Sequence, residues 1–346
     1  MIIDSNMYWL PEELFTDTAL LNMFMSCIPS ANGWYGKFLD IEGTGKKQIV
    51  LEKPQGYQNL NYVQGDYEIE VQLKDLAAAG ADKALLKLPG CQEWMSLELC
   101  RIFNDKIHQH AVDSKGKLIP LAAVPPDGTK ESTAELIRCH DELGMTAVQL
   151  SAHYGDKYLD DDSFSGFFRV LNDLGMTAYI HHTPVPVEYN TLYEYNNLRR
   201  SYGRCADQEI AIGREIFSGF FNKYPKVKFV HSMLGGGFFA IANMMFPNPP
   251  KTKETVSRFR TENENARSQF KEHIYFELSH AQPWGRAQLE CAVEVLGADH
   301  LIFGSSYPVR REWLTEGPAF IKNLDISDQQ KELILSGNAI ALYRLG

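Results

Sequence analysis

The feature that most constrains this chain is an alternation: eight short apolar, β-branched runs bounded by turn residues recur between longer amphipathic stretches. A strand covered on both faces reads as a continuous apolar run, and the helix that returns the chain reads as a stripe of period 3.6, so this alternation is the pattern of βα units around a parallel sheet. The runs are Met1–Asn6, Lys83–Leu88, Lys117–Val124, Ala147–Ala152, Thr177–His182, Val227–Ser232, Ile274–Ser279 and Leu301–Ser306. Helical patterns lie between them, near 67–79, 95–113, 129–143, 163–174, 206–224, 237–245, 284–296 and 327–343. Eight strands each followed by a helix close on themselves, so the fold class is α/β, a (β/α)8 TIM barrel filling residues 1–346 as one domain. Gly80, Gly144, Gly175 and Gly297 each stand just before a strand, where a helix ends in the left-handed conformation that glycine adopts without steric cost.

Two stretches break the repeat: residues 11–66, rich in Gly, Asn and Tyr, and residues 246–273, opening with Pro247, Pro249 and Pro250 and then heavily charged. They read as insertions, one after strand one and one in the connection from strand six to strand seven. Insertions at strand C-terminal ends usually build substrate specificity, although a surface excursion or an oligomer contact fits the second equally well. A net charge of −10 gives no electrostatic reason to bind nucleic acid or an anionic membrane surface. Met1 leads straight into Ile2 and Ile3 with no basic region before a long apolar stretch, so no secretory signal is expected. The six cysteines form no C-x-x-C pair, which argues against a zinc knuckle or a disulfide framework and suits a cytoplasmic protein.

Specific phrases then resemble a family. Ile3-Asp4-Ser5-Asn6-Met7-Tyr8-Trp9-Leu10-Pro11 is similar to the I-D-x-H-x-H-x-x-P opening of the amidohydrolase-related decarboxylases, the group of aminocarboxymuconate semialdehyde and γ-resorcylate decarboxylases. Leu76 to Asp82, Asn104-Asp105, Tyr179-Ile180-His181, Val230-His231 with Gly235-Gly236-Gly237, Phe303 to Pro308 and Gly337-Asn338-Ala339 follow in family order along nearly the whole chain. The resemblance implies a divalent metal held by two strand-one histidines, a strand-five histidine and an aspartate after strand eight, with a strand-six histidine nearby. Residues i and i+2 of a strand point the same way, which is why H-x-H can serve one metal.

Here the strand-one positions carry Asn6 and Tyr8, and the aspartate position carries Ser306. Amide and protonated hydroxyl oxygens are poor ligands, so three of the family's ligands are lost together. His181 and His231 stand at the strand-five and strand-six positions. Losing a cation and its aspartate together keeps the pocket charge balanced, which favours an adapted pocket, and some relatives in the superfamily act on lactones without metal. No cofactor is therefore expected. The alternative is a rebuilt zinc or manganese site on His181 and His231, with His153, His182, His280 or Glu277 joining them. His108 and His110 have ligand-pair spacing, but on a helix residues two apart diverge, so they read as a solvated surface pair.

The resemblance implies C–C bond cleavage of a small cyclic or aromatic carboxylic acid, and the lost ligands make the leading expectation a metal-independent lyase or hydrolase. His181, His231, Glu277 and His280 are the candidate acids and bases, since imidazole titrates near neutrality. Asn6, Tyr8, His153, His182 and Ser306 are the candidate substrate-binding groups, and Arg310 could fork onto a carboxylate. The other reading is a catalytically silent subunit partnering a metal-bearing paralogue, its pocket filled by Met233, Phe238 and Phe239. A homodimer or a hetero-oligomer with such a paralogue is the expected assembly.

Overall fold

The computed structural model describes residues 1–192, 195, 197–246 and 265–345. All eight predicted strands are present: Ile3–Tyr8, Lys83–Lys87, a third broken into Leu118–Pro120 and Ala122–Ala123, Ala147–Ser151, Thr177–His181, Lys228–His231, Ile274–Glu277 and Leu301–Ile302. Neighbouring strands pair in parallel register. Leu121, at the break in strand three, still donates its N–H to Leu86 O at 3.0 Å. The ring closes where strand one meets the chain leaving strand eight: Ser5 N donates to Phe303 O (2.9 Å), Tyr8 N donates to Tyr307 O (2.7 Å), and Met7 pairs with Tyr307. The chain is a (β/α)8 barrel, as the alternation predicted.

Inside the barrel, Ile3, Leu85, Leu121, Ala147, Tyr179, Val230 and Ile302 form one packed layer, and Ala339 and Tyr343 of the last helix close it from below. The layer makes the barrel a solid plug whose working end is the upper, C-terminal face. Strand one carries one extra residue between Asp4 and Met7 relative to strand two. Such a bulge re-aims the side chains that follow it, and here it turns both Asn6 and Tyr8 toward the barrel axis.

The helices fall near their predicted places, with two differences. The pattern over 206–224 is two helices, Gly203–Phe217 and Phe220–Lys223, because Gly219 adopts φ 72° between them. The pattern over 237–245 shrinks to short turns at Phe238–Ala240 and Ala242–Met245. The chain entering them passes so close to Cys205 O that a side-chain carbon at Gly236 would stand 2.0 Å from it. His108 and His110 do lie on a helix, Leu97–Asp113. The expectation of a solvated pair needs correction, since His110 packs against the Trp9 ring (5.6 Å) and bonds Gln72 Oε1 at 2.8 Å.

The first insertion has structure of its own. It holds the helix Thr18–Cys27, capped by Asp17, and an antiparallel sheet of Tyr35–Asp40, Lys47–Glu52 and Gln58–Val63. Phe24 stacks on Phe103 (6.2 Å, 7° between planes) and meets Trp94 and Tyr62 edge-on, while Tyr62 Oη donates to Pro89 O at 2.9 Å. These contacts fix the sheet over the upper end of the barrel. In the second insertion the helix Ala266–His273 precedes strand seven, and residues 247–264 lie outside the described residues. Among the described residues all six cysteines are free, and no helix is long and apolar enough to cross a membrane.

Candidate active site at the upper end of the barrel

A cavity of about 380 Å³ opens at the C-terminal ends of the strands. Tyr8, His181, His182, Ser306 and His280 line it from the barrel, Asn59 to Val63 from the inserted sheet, and Arg200 and Arg204 from the chain after strand five. Tyr8 Oη lies 3.1 Å from His181 Nε2. His181 Nδ1 lies 2.7 Å from the His182 carbonyl, which can only accept, so Nδ1 carries the hydrogen and Nε2 accepts from the Tyr8 hydroxyl. Burial, with Lys87 close by, pushes the His181 imidazole well below its usual value, and burial raises the Tyr8 phenol. The pair is therefore neutral, with the tyrosine as donor. His182 stacks on His181 (4.2 Å, 27°), and its N–H donates to Ser232 Oγ at 3.1 Å.

Below this pair lies a buried polar knot. Glu277 is wholly buried, and its carboxylate accepts from Asn6 Nδ2 (2.9 Å), Tyr179 Oη (2.6 Å) and both the N–H and the hydroxyl of Ser279. Asn6 Nδ2 also reaches Ser306 Oγ at 3.1 Å, leaving Asn6 Oδ1 buried with no partner. Gly304 makes room for the knot, because a side-chain carbon there would stand 1.8 Å from Glu277 Oε1. Lys87 shares the interior with Glu277. Its Nζ sits 3.7 Å from the centre of the Tyr179 ring and 4.9 Å from that of Tyr8, and it is buried without a hydrogen-bond partner. Burial alone drives Lys87 down and Glu277 up, toward a neutral pair. Four donors on the carboxylate and two ring faces around the ammonium oppose that and favour the ionised pair.

The upper wall is cationic and aromatic. Arg204 Nη2 donates to Asn59 Oδ1 at 3.1 Å, and its Nε is buried without a partner among the described residues. Burial, helped by Arg200, lowers the Arg204 guanidinium to about 10, so it stays charged at neutral pH. Among the described residues Arg204 makes no ion pair with a carboxylate. His280 stacks on Trp313 (4.2 Å, 18°), with its Nδ1 unpartnered and its pKa lowered by burial to about 4.

The structure brings together Asn6, Tyr8, His181, His182, Ser306, Glu277 and His280, and it moves three predicted residues away. His231 points outward: Val230 is the inward residue of strand six, and the imidazole nitrogens face Gln208 Oε1 (2.8 Å) and Glu215 Oε2 (2.9 Å) on the helix Gly203–Phe217. His181 and His231 thus face opposite sides of the barrel wall and do not converge on one ligand position. His153 is tied to Gly155 O, Thr183 Oγ1 and Val185 O, beside buried Asp207, and does not line the cavity. Arg310 pairs with Glu312 at 2.8 Å in an exposed loop. Lys87 and Arg204 were missed. Lys87 left one signal, a charge at the end of an apolar strand two residues beyond inward-facing Leu85.

This fold and site define an enzyme barrel of the amidohydrolase type. The amidohydrolase family model matches residues 92–345, well over half of the chain, and the chain belongs to that family. It is 26% identical over 262 residues to the 2-amino-3-carboxymuconate-6-semialdehyde decarboxylase of Dictyostelium discoideum, covering 72% of this chain and 67% of that protein. It is 24% identical over 266 residues to a gamma-resorcylate decarboxylase of a Polaromonas species, covering 72% and 77%. The 5-carboxyvanillate decarboxylase of Novosphingobium aromaticivorans, solved with bound manganese, shares the fold with a TM-score of 0.76 over 99% of this chain and 97% of that one, at 19% identity.

The four positions that answer to the family's ligands offer one amide, one phenol, one alcohol and one imidazole whose Nε2 already accepts from the phenol. Among the described residues no three His, Cys, Asp or Glu side chains converge as ligands. The side chain of Lys87, which is no metal ligand of the family's set, stands in the same interior. This donor set does not fit a divalent cation, which calls for anionic or imidazole ligands.

Proposed function

We propose that this chain is a lyase that removes CO2 from a small aromatic or cyclic carboxylic acid. The observation that carries this reading is the cavity itself, with a neutral Tyr8–His181 pair on its floor and, on its wall, Arg204, which pairs with no carboxylate among the described residues. Its relatives' decarboxylase activity supports the same reaction class. In this reading Arg204 binds the substrate anion and the rings of Tyr62 and Trp313 flank its apolar body.

Decarboxylation needs a proton at the carbon that loses CO2 and a donor for the oxygen on which negative charge develops. Tyr8 supplies the donor when its O–H turns from His181 Nε2 to the substrate oxygen. His280 carries the proton: its lowered pKa rises when a carboxylate comes beside it, so substrate binding loads it. The C–C electron pair stays on the ring carbon, which takes that proton as CO2 leaves. No step runs through a metal.

The test is CO2 release and the fall in ring absorbance on a panel of hydroxybenzoic and carboxymuconic acids. Turnover is expected for at least one class, with Tyr8→Phe lowering kcat by about 100-fold or more while changing KM little. Of the three residues expected to plug a silent subunit, Met233 lines the cavity while Phe238 and Phe239 pack in the core, and the cavity that stays open beside Met233 speaks against a filled pocket. Neither turnover nor binding across the panel would reverse that judgement.

A further inference from the structure

We infer that Lys87 is the built-in cation of this site: its ammonium, held against the Tyr179 and Tyr8 rings with Glu277 as counter-ion, supplies the fixed positive charge that manganese-bearing barrels of this fold take from a metal. The inference deepens the decarboxylase reading, on which it rests for the kind of ligand involved.

Three observations converge on it. The first is place: Tyr8 and Lys87 are register partners on strands one and two, and the same interior holds Asn6 and Ser306, two of the lost ligand positions. The second is chemistry. Nζ is wholly buried with no hydrogen-bond partner among the described residues, yet it lies 3.7 Å from the centre of one aromatic ring and 4.9 Å from another. A buried ammonium is costly, and one without any bond is expected only where its charge serves a purpose. The third is charge balance. Glu277 receives four hydrogen bonds, one through Tyr179, whose ring carries the lysine. Glu277 and Asp4 are the buried carboxyls whose charge acts on Lys87, so the ammonium has its counter-charge in the same interior, and a divalent ion added beside it would meet the repulsion of Nζ.

Lys87 does not line the cavity, so it acts through Tyr8. The ammonium beneath the Tyr8 ring makes the phenol a stronger donor toward an oxygen that becomes negative during the reaction. Lys87 is thus a positioning residue, and its signature is the electrostatic potential of the pocket.

The experiment uses the full chain with 4-nitrophenol as a probe, whose phenolate is read by its visible absorbance. Bound to wild type, the probe should ionise at least 1 pH unit lower than in solution. Lys87→Met should abolish most of that shift and Lys87→Arg should keep part of it, with circular dichroism confirming that both fold. In parallel, wild type dialysed against manganese should retain well under a tenth of an equivalent by elemental analysis, and Lys87→Met should retain measurably more than wild type. An unchanged probe pKa in Lys87→Met, or near-stoichiometric manganese in wild type, overturns the inference. If wild type binds no nitrophenol, the aromatic-acid reading fails separately, and the manganese comparison alone decides the role of Lys87: uptake that appears only in Lys87→Met supports it, and equal uptake in both refutes it.

Discussion

Asp4 lies wholly buried beside the seam of the barrel, where it accepts from Ser305 N, Ser305 Oγ and Asn6 N. Burial outweighs those donors and pushes its carboxyl up to about 6. A carboxyl raised on folding contributes stability that is fully present below its unfolded value, near 4, and is lost as pH rises through about 6. Asp4→Asn keeps the two backbone N–H donors on its oxygen and reverses the third contact, its amide donating to Ser305 Oγ, without the charge. Relative to wild type it should therefore gain up to about 3 kcal/mol between pH 4 and pH 7. Urea denaturation of both chains at pH 4, 5, 6 and 7 measures this, and a constant difference would show that Asp4 titrates as an ordinary carboxyl. At this scale the sequence was readable in part: alternation puts Asn6 with Tyr8 and Tyr179 with His181 on shared faces, but the bulge between Asp4 and Met7 is what turns Asn6 and Tyr8 inward. It misled at His231, because a one-residue change of parity sends a side chain to the other face. Only pairing with strands five and seven shows that Val230 is the inward residue.

The inserted sheet is the element that shapes the cavity. Its strand Gln58–Val63 lines the wall, and Asn59 holds the one hydrogen-bonded arm of Arg204 described here. Arg204→Gln should raise KM by at least tenfold while lowering kcat less, because a carboxylate anchor contributes mainly uniform binding. Asn59→Ala should raise KM only a few-fold, since Arg204 keeps its charge and loses only its aim. Steady-state kinetics on the best substrate separate the two. The position of residues 11–66 as an insertion over the strand ends was legible from the break in the repeat. Its three-stranded form was not singled out, and the reach of Arg204 from the helix Gly203–Phe217 to Asn59 left no local signal, as 145 residues separate them.

At the scale of the whole molecule, the last helix stoppers the barrel from below. Tyr343 packs there with Ile3, Leu85 and Tyr179, and its hydroxyl is buried without a hydrogen-bond partner. Tyr343→Phe should leave stability unchanged or raise it by about 1 kcal/mol, since it removes an unsatisfied group. Tyr343→Ala should cost about 3–5 kcal/mol by opening a cavity under the inner layer. Thermal unfolding of the two variants checks both, and a large loss in Tyr343→Phe would mean that the hydroxyl has a structural role.

The sequence by itself determined the barrel, its strand positions and the substitution of three family ligand positions by neutral groups. Those follow from periodicity and local phrases, which are written along the chain. Tertiary structure alone decided what replaced them. Lys87, Tyr179 and Glu277 lie on strands two, five and seven, far apart in sequence, and only barrel closure brings an ammonium, two rings and a carboxylate into one dry interior. There, low dielectric makes each charge matter and each neighbour decide its state.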